Sequence, residues 1–295
     1  MALEFQRIDF QYGRKAGLFT GLDLRIDNPA TVLLGPNGAG KSTLMALAAS
    51  QLSPRRGSVS WHGVDPAAGA GDRAAYRRAV AWLPQQITPV PGLSVREQVA
   101  YCGWLKGMSR AAAWRASAVA LARVGLGELA DRAGNRLSGG QLRRMGIAGC
   151  LAHHSELILM DEPTAGLDPT QRAVFRALVE ELTSEVNVIV STHQTEDLSG
   201  TYRQVVVLDR GQVRFQGATE EFHALATDGG AGSGSGDGGS GRPTAAVPGA
   251  VPAPGAVPGT GVVPVPGVVP GPGSGTLTGG PSAEAAYARL IERET

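Results

Sequence analysis

Net charge of either sign is almost absent: 27 Lys and Arg stand against 26 Asp and Glu, leaving +1 at neutral pH. A nucleic-acid binder normally shows a basic excess or patch, so no nucleic-acid partner is expected. Long apolar runs are missing as well. No stretch approaches the ~18 consecutive apolar residues of a membrane helix, so any membrane spans are expected from another polypeptide. The opening MALEFQRID is amphipathic and lacks the basic-then-apolar order of a secretory leader, so no leader is expected. Cysteine is scarce too. Cys102 and Cys150 fit neither C-x-x-C nor zinc spacing, which predicts buried thiols in a reducing compartment.

Glycine and proline, by contrast, are abundant, with 42 and 19 residues, and they are unevenly placed. From Asp228 the chain turns to Gly/Ser-rich and then Val-Pro-Gly-rich sequence, the compositional mark of a disordered linker. Proline spacing forbids a helix there. The closing PSAEAAYARLIERE reads as one amphipathic helix. Three regions are therefore expected: an ordered unit over 1–227, a linker over 228–281 and a short helix over 282–295.

The first region alternates strand and helix signals. ATVLLG (30–35) reads as a buried strand, with KSTLMALAAS as the helix after it. Ser94 and Glu97 match a capping box, in which serine and glutamate satisfy each other's free amides. Ser109 is a cap for the next helix, which stops at Gly125. ELILMD (156–161) and VNVIVST (186–192) are continuous in apolar residues, as interior parallel strands require. Asp168-Pro169 is a helix start, and 205–217 reads as a hairpin turning at Arg210-Gly211. His153-His154 lacks a third ligand and reads as the solvent-exposed end of a helix.

One strand-to-helix junction concentrates the chemistry. Gly35, Pro36, Asn37, Gly38, Ala39, Gly40, Lys41 and Ser42 fit G-x-x-x-x-G-K-[ST], and Thr43 follows. Glycine lets successive backbone amides converge on phosphate oxygens, and the following helix adds its positive dipole end. Lys41 is expected on the β- and γ-phosphates and Ser42 on Mg²⁺. The strand ending LILMD places Asp161 beside the metal, with Glu162 next to it where a water could be polarised.

LSGGQ (137–141) narrows the class. With the loop, a glutamine, LILMDEP, GLD and STH in this order, the chain resembles the ATP-binding-cassette (ABC) ATPases over roughly residues 3–222. The resemblance implies an α/β fold: a P-loop core, a small antiparallel sheet and a helical subdomain carrying the signature. It implies that Ser138, Gly139, Gly140 and Gln141 cap the γ-phosphate of a second subunit's ATP. Glu162 then matches the general base, His193 the switch histidine, and Asp168 the loop that crosses the dimer interface. Gln85 matches the glutamine near Mg²⁺, although Gln86 beside it leaves the choice open by one place. Tyr12 matches the residue that stacks on adenine, or else it packs in the small sheet.

ATP and Mg²⁺ are thus the implied cofactors. The implied partners are a second ABC ATPase subunit, identical or different, and a separate multi-spanning permease. Within the family, GPNGAGKSTLM, DEPTAGLDP and the closing P-S-x-E-x-x-Y most resemble bacterial exporters of small molecules, antibiotics or lipids. Such a subunit is expected on the cytoplasmic face of the plasma membrane. The alternative is a non-transport ABC ATPase of the translation or DNA-repair type, which usually carries two cassettes or long coiled coils.

Overall fold

The computed structural model describes residues 2–13, 16–195, 198, 200–227 and 281–292. Strands β1 (Leu3–Phe10), β2 (Phe19–Ile26) and β4 (Arg56–Trp61) form an antiparallel sheet in the order β2-β1-β4. Arg7, at φ 48°, sits at an irregularity in β1, which is why Phe5 and Ile8 both point inward although three residues apart. Extra residues of this kind shift strand alternation by one place.

The main sheet has the order β5-β6-β7-β3-β8-β9. Its strands are β3 (Ala30–Leu34), β5 (Val80–Leu83), β6 (Leu157–Asp161), β7 (Asn187–Thr192), β8 (Gln204–Asp209) and β9 (Gln212–Ala218). All neighbours pair in parallel except β8 and β9. Every residue of β3 and β6 is buried, so both read as unbroken apolar runs. The β8–β9 hairpin turns at Arg210 (φ 45°) and Gly211 (φ 77°), the left-handed pair that a two-residue hairpin loop requires.

Helices α1 (Lys41–Ala48), α2 (Ala70–Ala79) and α6 (Pro169–Leu182) join these strands and α7 (Thr219–Thr227) follows β9, while α3 (Val95–Leu105), α4 (Arg110–Arg123) and α5 (Gly139–Leu151) form a helical insert between β5 and β6. The expected caps are in place. Ser94 and Glu97 form a reciprocal box, as do Ser138 and Gln141, while Ser109 and Asp168 each accept from an amide of the first turn. Such caps contribute about 1 kcal/mol each. The last described helix, α8 (Pro281–Glu292), is not separate from the cassette: Ala283 and Ala286 are fully buried in the same core as Phe222 of α7. The linker expected over 228–281 lies outside the described residues apart from Pro281.

Two expectations need correction. α5 ends at Leu151, so His153 is not a solvent-exposed helix end; it turns inward, its Nδ1 3.3 Å from the Gly149 carbonyl, and only His154 is exposed. Burial, with the nearby Lys106 charge, pushes the His153 pKa down to about 4. Of the two thiols, Cys150 is buried, but Cys102 is half-exposed on a groove wall.

Candidate functional site

The glycine loop occupies the end of β3, and tertiary contacts explain its composition. A methyl group at Gly35 would lie 2.2 Å from the Leu208 carbonyl oxygen, so no side chain fits. Gly38 and Gly40 take φ values of 85° and 107°, a region that costs other residues about 1–2 kcal/mol. Ala39 donates to the Pro36 carbonyl at 3.2 Å and accepts from the Gly211 amide at 2.9 Å, so the hairpin turn braces the loop. Asn37 and Ser42 are exposed on the loop, and Thr43 is buried beneath it.

Lys41, only 5% exposed, donates through Nζ to the carbonyls of Gly35 (2.7 Å) and Pro36 (3.1 Å). Burial lowers its pKa, and the carboxylates of Glu162 and Asp161 oppose that shift. Ser42 Oγ donates to Asp161 Oδ1 at 3.2 Å. Strand β6 delivers Asp161 to this point, and β7 delivers Ser191, whose hydroxyl donates to the same oxygen at 2.5 Å. Ser191 also accepts from the Glu162 amide at 3.0 Å.

Glu162 carries the densest set of partners. Its Oε1 lies 3.1 Å from His193 Nδ1 and 3.7 Å from Lys41 Nζ, and its Oε2 accepts from Gln85 Nε2 at 3.4 Å. Its backbone sits at φ 43°, an uncommon conformation of the kind that clusters at working sites. Gln85 rather than Gln86 therefore faces the site. Its backbone is fixed from α5, where Arg143 donates to the Gln85 carbonyl and, at 3.5 Å, to that of Pro84.

Tyr12 lies just beyond β1, 48% exposed, with its hydroxyl 3.1 Å from Thr43 Oγ1 and its ring edge-on to Phe10 at 4.9 Å. It is not small-sheet core. Its open face and its tie to the helix behind the loop suit stacking on a base. The signature segment stands apart. Ser138 caps α5, Gly139 is open to solvent, and a methyl on Gly140 would meet Gln171 Oε1 at 2.2 Å. Within one chain the signature segment (138–141) and Asp168 are not joined to the glycine loop (35–43) by hydrogen bonds among the described residues.

The hard oxygen donors Ser42 and Asp161, with the Gln85 amide nearby, fit Mg²⁺. The amide-lined loop and Lys41 fit a nucleotide's phosphates. The sequence profile of the ABC transporter family matches residues 21–165. The chain is 35% identical over 234 residues to the energy-coupling factor transporter ATP-binding protein EcfA2 of Lactiplantibacillus plantarum, covering 75% of this chain and 79% of that one. This chain belongs to the ABC transporter ATPases. It binds and hydrolyses ATP, as that family does.

Other members extend the comparison. The ABC transporter ATP-binding protein YxlF of Bacillus subtilis is 32% identical, with 66% of this chain matched but only 63% of YxlF spanned. The daunorubicin/doxorubicin resistance ATP-binding protein DrrA of Streptomyces peucetius is 34% identical over 68% of this chain and 61% of its own length. Among solved structures, cbiO1 of Clostridium perfringens, part of the ABC transporter complex cbiONQ, superposes with a TM-score of 0.66 at 27% identity, covering 75% of this chain and 90% of that one. In ABC ATPase terms, the sequence reading missed Ser191 and Arg143 as site residues. Ser191 was visible inside the STH motif; Arg143 carried no local signal.

Proposed function

We propose that this ABC ATPase powers a bacterial exporter of small molecules, closing as a head-to-tail dimer and driving a separate membrane subunit. The observation that carries the reading is the convergence of Lys41, Gln85 and His193 on Glu162, while Ser138 and its glycines remain unlinked to the loop. Three elements prepare one carboxylate for work on a water beside the γ-phosphate. The second anion-binding helix start needs another copy, identical or related, to complete it.

Each residue then has a task. Residues 35–43 wrap the phosphates, Lys41 giving its loop carbonyls up for phosphate oxygens. Ser42 and Asp161, with Gln85, hold Mg²⁺, which supplies charge neutralisation when bound. Glu162 takes the proton of the attacking water. His193 orients Glu162 and contacts the γ-phosphate, and Tyr12 stacks on the adenine. Ser138, Gly139, Gly140 and Gln141, with Asp168, close the site from the second copy.

No helix among the described residues is long and apolar enough to cross a membrane. In this reading the permease is a separate subunit, and this chain works peripherally on the cytoplasmic face. A 270 Å³ groove between the main sheet and α3 is lined by Trp82, Pro84, Ile87, Cys102 and Leu105, beside the backbone of Gln85. An apolar helix end from the permease would fit it and reach the glutamine that touches Glu162. Val95 is fully buried and belongs to the core. Likeness to DrrA and the closing PSAEAAYARL favour export. The test is co-expression with a candidate permease from the same genome. Co-purification that Leu105→Arg abolishes, with ATP binding retained, supports the assignment; membrane association that persists without that protein contradicts it.

A further inference from the structure

Helix α3 has two accessible sides. Cys102 and Leu105 look into the groove against the main sheet, whereas Glu97, Ala100, Tyr101 and Trp104 line a separate hollow of 380 Å³ shared with Trp114 of α4. The hollow is aromatic. Tyr101 and Trp104 stack with ring centroids 5.7 Å apart and planes 25° from parallel. Arg96 lies 4.0 Å over the Trp114 ring and donates to the Trp114 carbonyl at 3.3 Å, fixing that ring. The three rings are 40, 46 and 43% exposed. They stand on two helices packed together, with Gly103 of α3 and Ala113 of α4 both buried between them.

Two tryptophans and a tyrosine on packed helices form the type of surface on which polyproline segments dock. Proline rings lie against aromatic faces, and the preformed extended conformation loses little entropy on binding. The chain carries a proline-rich sequence of matching composition. From Ala245 to Gly273 no residue is charged and Val-Pro recurs, most densely at Val263-Pro264-Val265-Pro266. An uncharged Val/Pro sequence can cover aromatic rings without desolvating an ion.

Tethering favours an intramolecular site. Arg289 of α8 donates to the Leu225 carbonyl of α7, and both helices share one core, so residues 228–280 leave and return at one place on the cassette. Extended, residues 267–280 alone span about 45 Å, against about 24 Å across the sheet from β9, beside α8, to β5, beside α3. Reach is not limiting. A tethered ligand also experiences an effective concentration on the order of millimolar, so weak intrinsic affinity suffices.

We propose that the proline-rich segment of this chain, centred on residues 263–266, docks in the aromatic hollow between α3 and α4. The docking uses none of the residues that hold ATP, and it does not depend on which permease or substrate the ATPase serves.

The test compares the full chain with a variant whose residues 245–273 are replaced by a Gly/Ser sequence of equal length. Trp61 is buried and Trp82 is half-buried, so iodide quenching of tryptophan fluorescence reads mainly Trp104 and Trp114. The replacement should raise the quenching constant roughly two-fold, and a synthetic peptide of residues 259–273 should restore protection saturably with a Kd on the order of millimolar or tighter. The same peptide with its prolines changed to alanine should do nothing. Trp104→Ala should abolish the peptide effect and Trp104→Phe retain most of it, with ATPase activity unchanged in both as the check on folding. Equal quenching in both chains with no saturable peptide effect would overturn the proposal. Protection that vanishes on dilution would also overturn it, since the segment would then sit on a second copy.

Discussion

The Ser191 hydroxyl donates to Asp161 Oδ1 at 2.5 Å while accepting from the amide of Glu162 at 3.0 Å. One small side chain on β7 thus holds the Asp161 carboxylate at the end of β6 and the backbone of Glu162 just beyond it. Ser191→Ala removes a charge-assisted hydrogen bond in a fully buried position. The expected loss of stability is about 1–3 kcal/mol, read by urea denaturation. Mg²⁺ should also be needed at higher concentration for turnover, because Asp161 loses its fixed orientation. An unchanged Mg²⁺ titration would show that β6 alone orients that carboxylate.

Glycines of the same backbone class should differ sharply in cost. A methyl at Gly211 would lie 1.8 Å from the Leu18 carbonyl oxygen, whereas one at Gly38 meets nothing within 4 Å. Gly38→Ala should therefore cost about 1–2 kcal/mol, the price of the left-handed conformation alone. Gly211→Ala must also displace backbone, and with it the bond from Gly211 to Ala39. It should be the more destabilising and should weaken ATP binding from a distance. Equal midpoints in denaturant would contradict this.

Tyr12 should read the face of a base and not its edges. Tyr12→Ala is expected to weaken ATP binding by roughly 1–3 kcal/mol, the usual worth of stacking. Tyr12→Phe should retain most of the affinity, losing only the contact to Thr43. Titrations of ATP and GTP into all three proteins check both points, and an unaffected Tyr12→Ala would place the base elsewhere.

His153 gives the fold a pH dependence whose sign follows from its burial. Its folded pKa of about 4 lies below the ordinary 6.5, so the folded state holds the neutral ring. The stabilisation is fully present above about 6.5 and is lost as pH falls from there toward 4, because the unfolded chain takes up the proton first. His153→Gln should flatten that part of the stability profile. A slope that persists in the variant would assign it to other groups.

Much of the site was legible locally. The loop motif from Gly35 to Ser42, the caps at Ser94, Ser109 and Asp168, and the turn at Arg210-Gly211 are all recognisable from residues a few places apart. What sequence could not show depends on long-range contact. His153 turns inward into the groove it shares with β5 and α3, beside Lys106, which its sequence neighbours do not reveal. Gly35 and Gly211 are required by carbonyls of Leu208 and Leu18, far away in the chain. Tyr101 and Trp104 sit on the same helix as Cys102 and Leu105, yet they face the hollow beside Trp114 and not the groove beside Gln85. Which side of α3 each residue takes is set by packing on α4 and α5.

Size-exclusion chromatography of Glu162→Gln with and without ATP tests the catalytic assignment most directly. Glutamine keeps the shape that faces His193, Lys41 and Gln85 but cannot accept the proton, so turnover should fall ~10²- to 10⁴-fold. ATP should then persist between the loop of one copy and Ser138 of the other. The predicted result is a monomer without nucleotide and a stable dimer with ATP. A Glu162→Gln protein that stays monomeric with ATP and turns over at the wild-type rate would contradict both the base and the two-copy site.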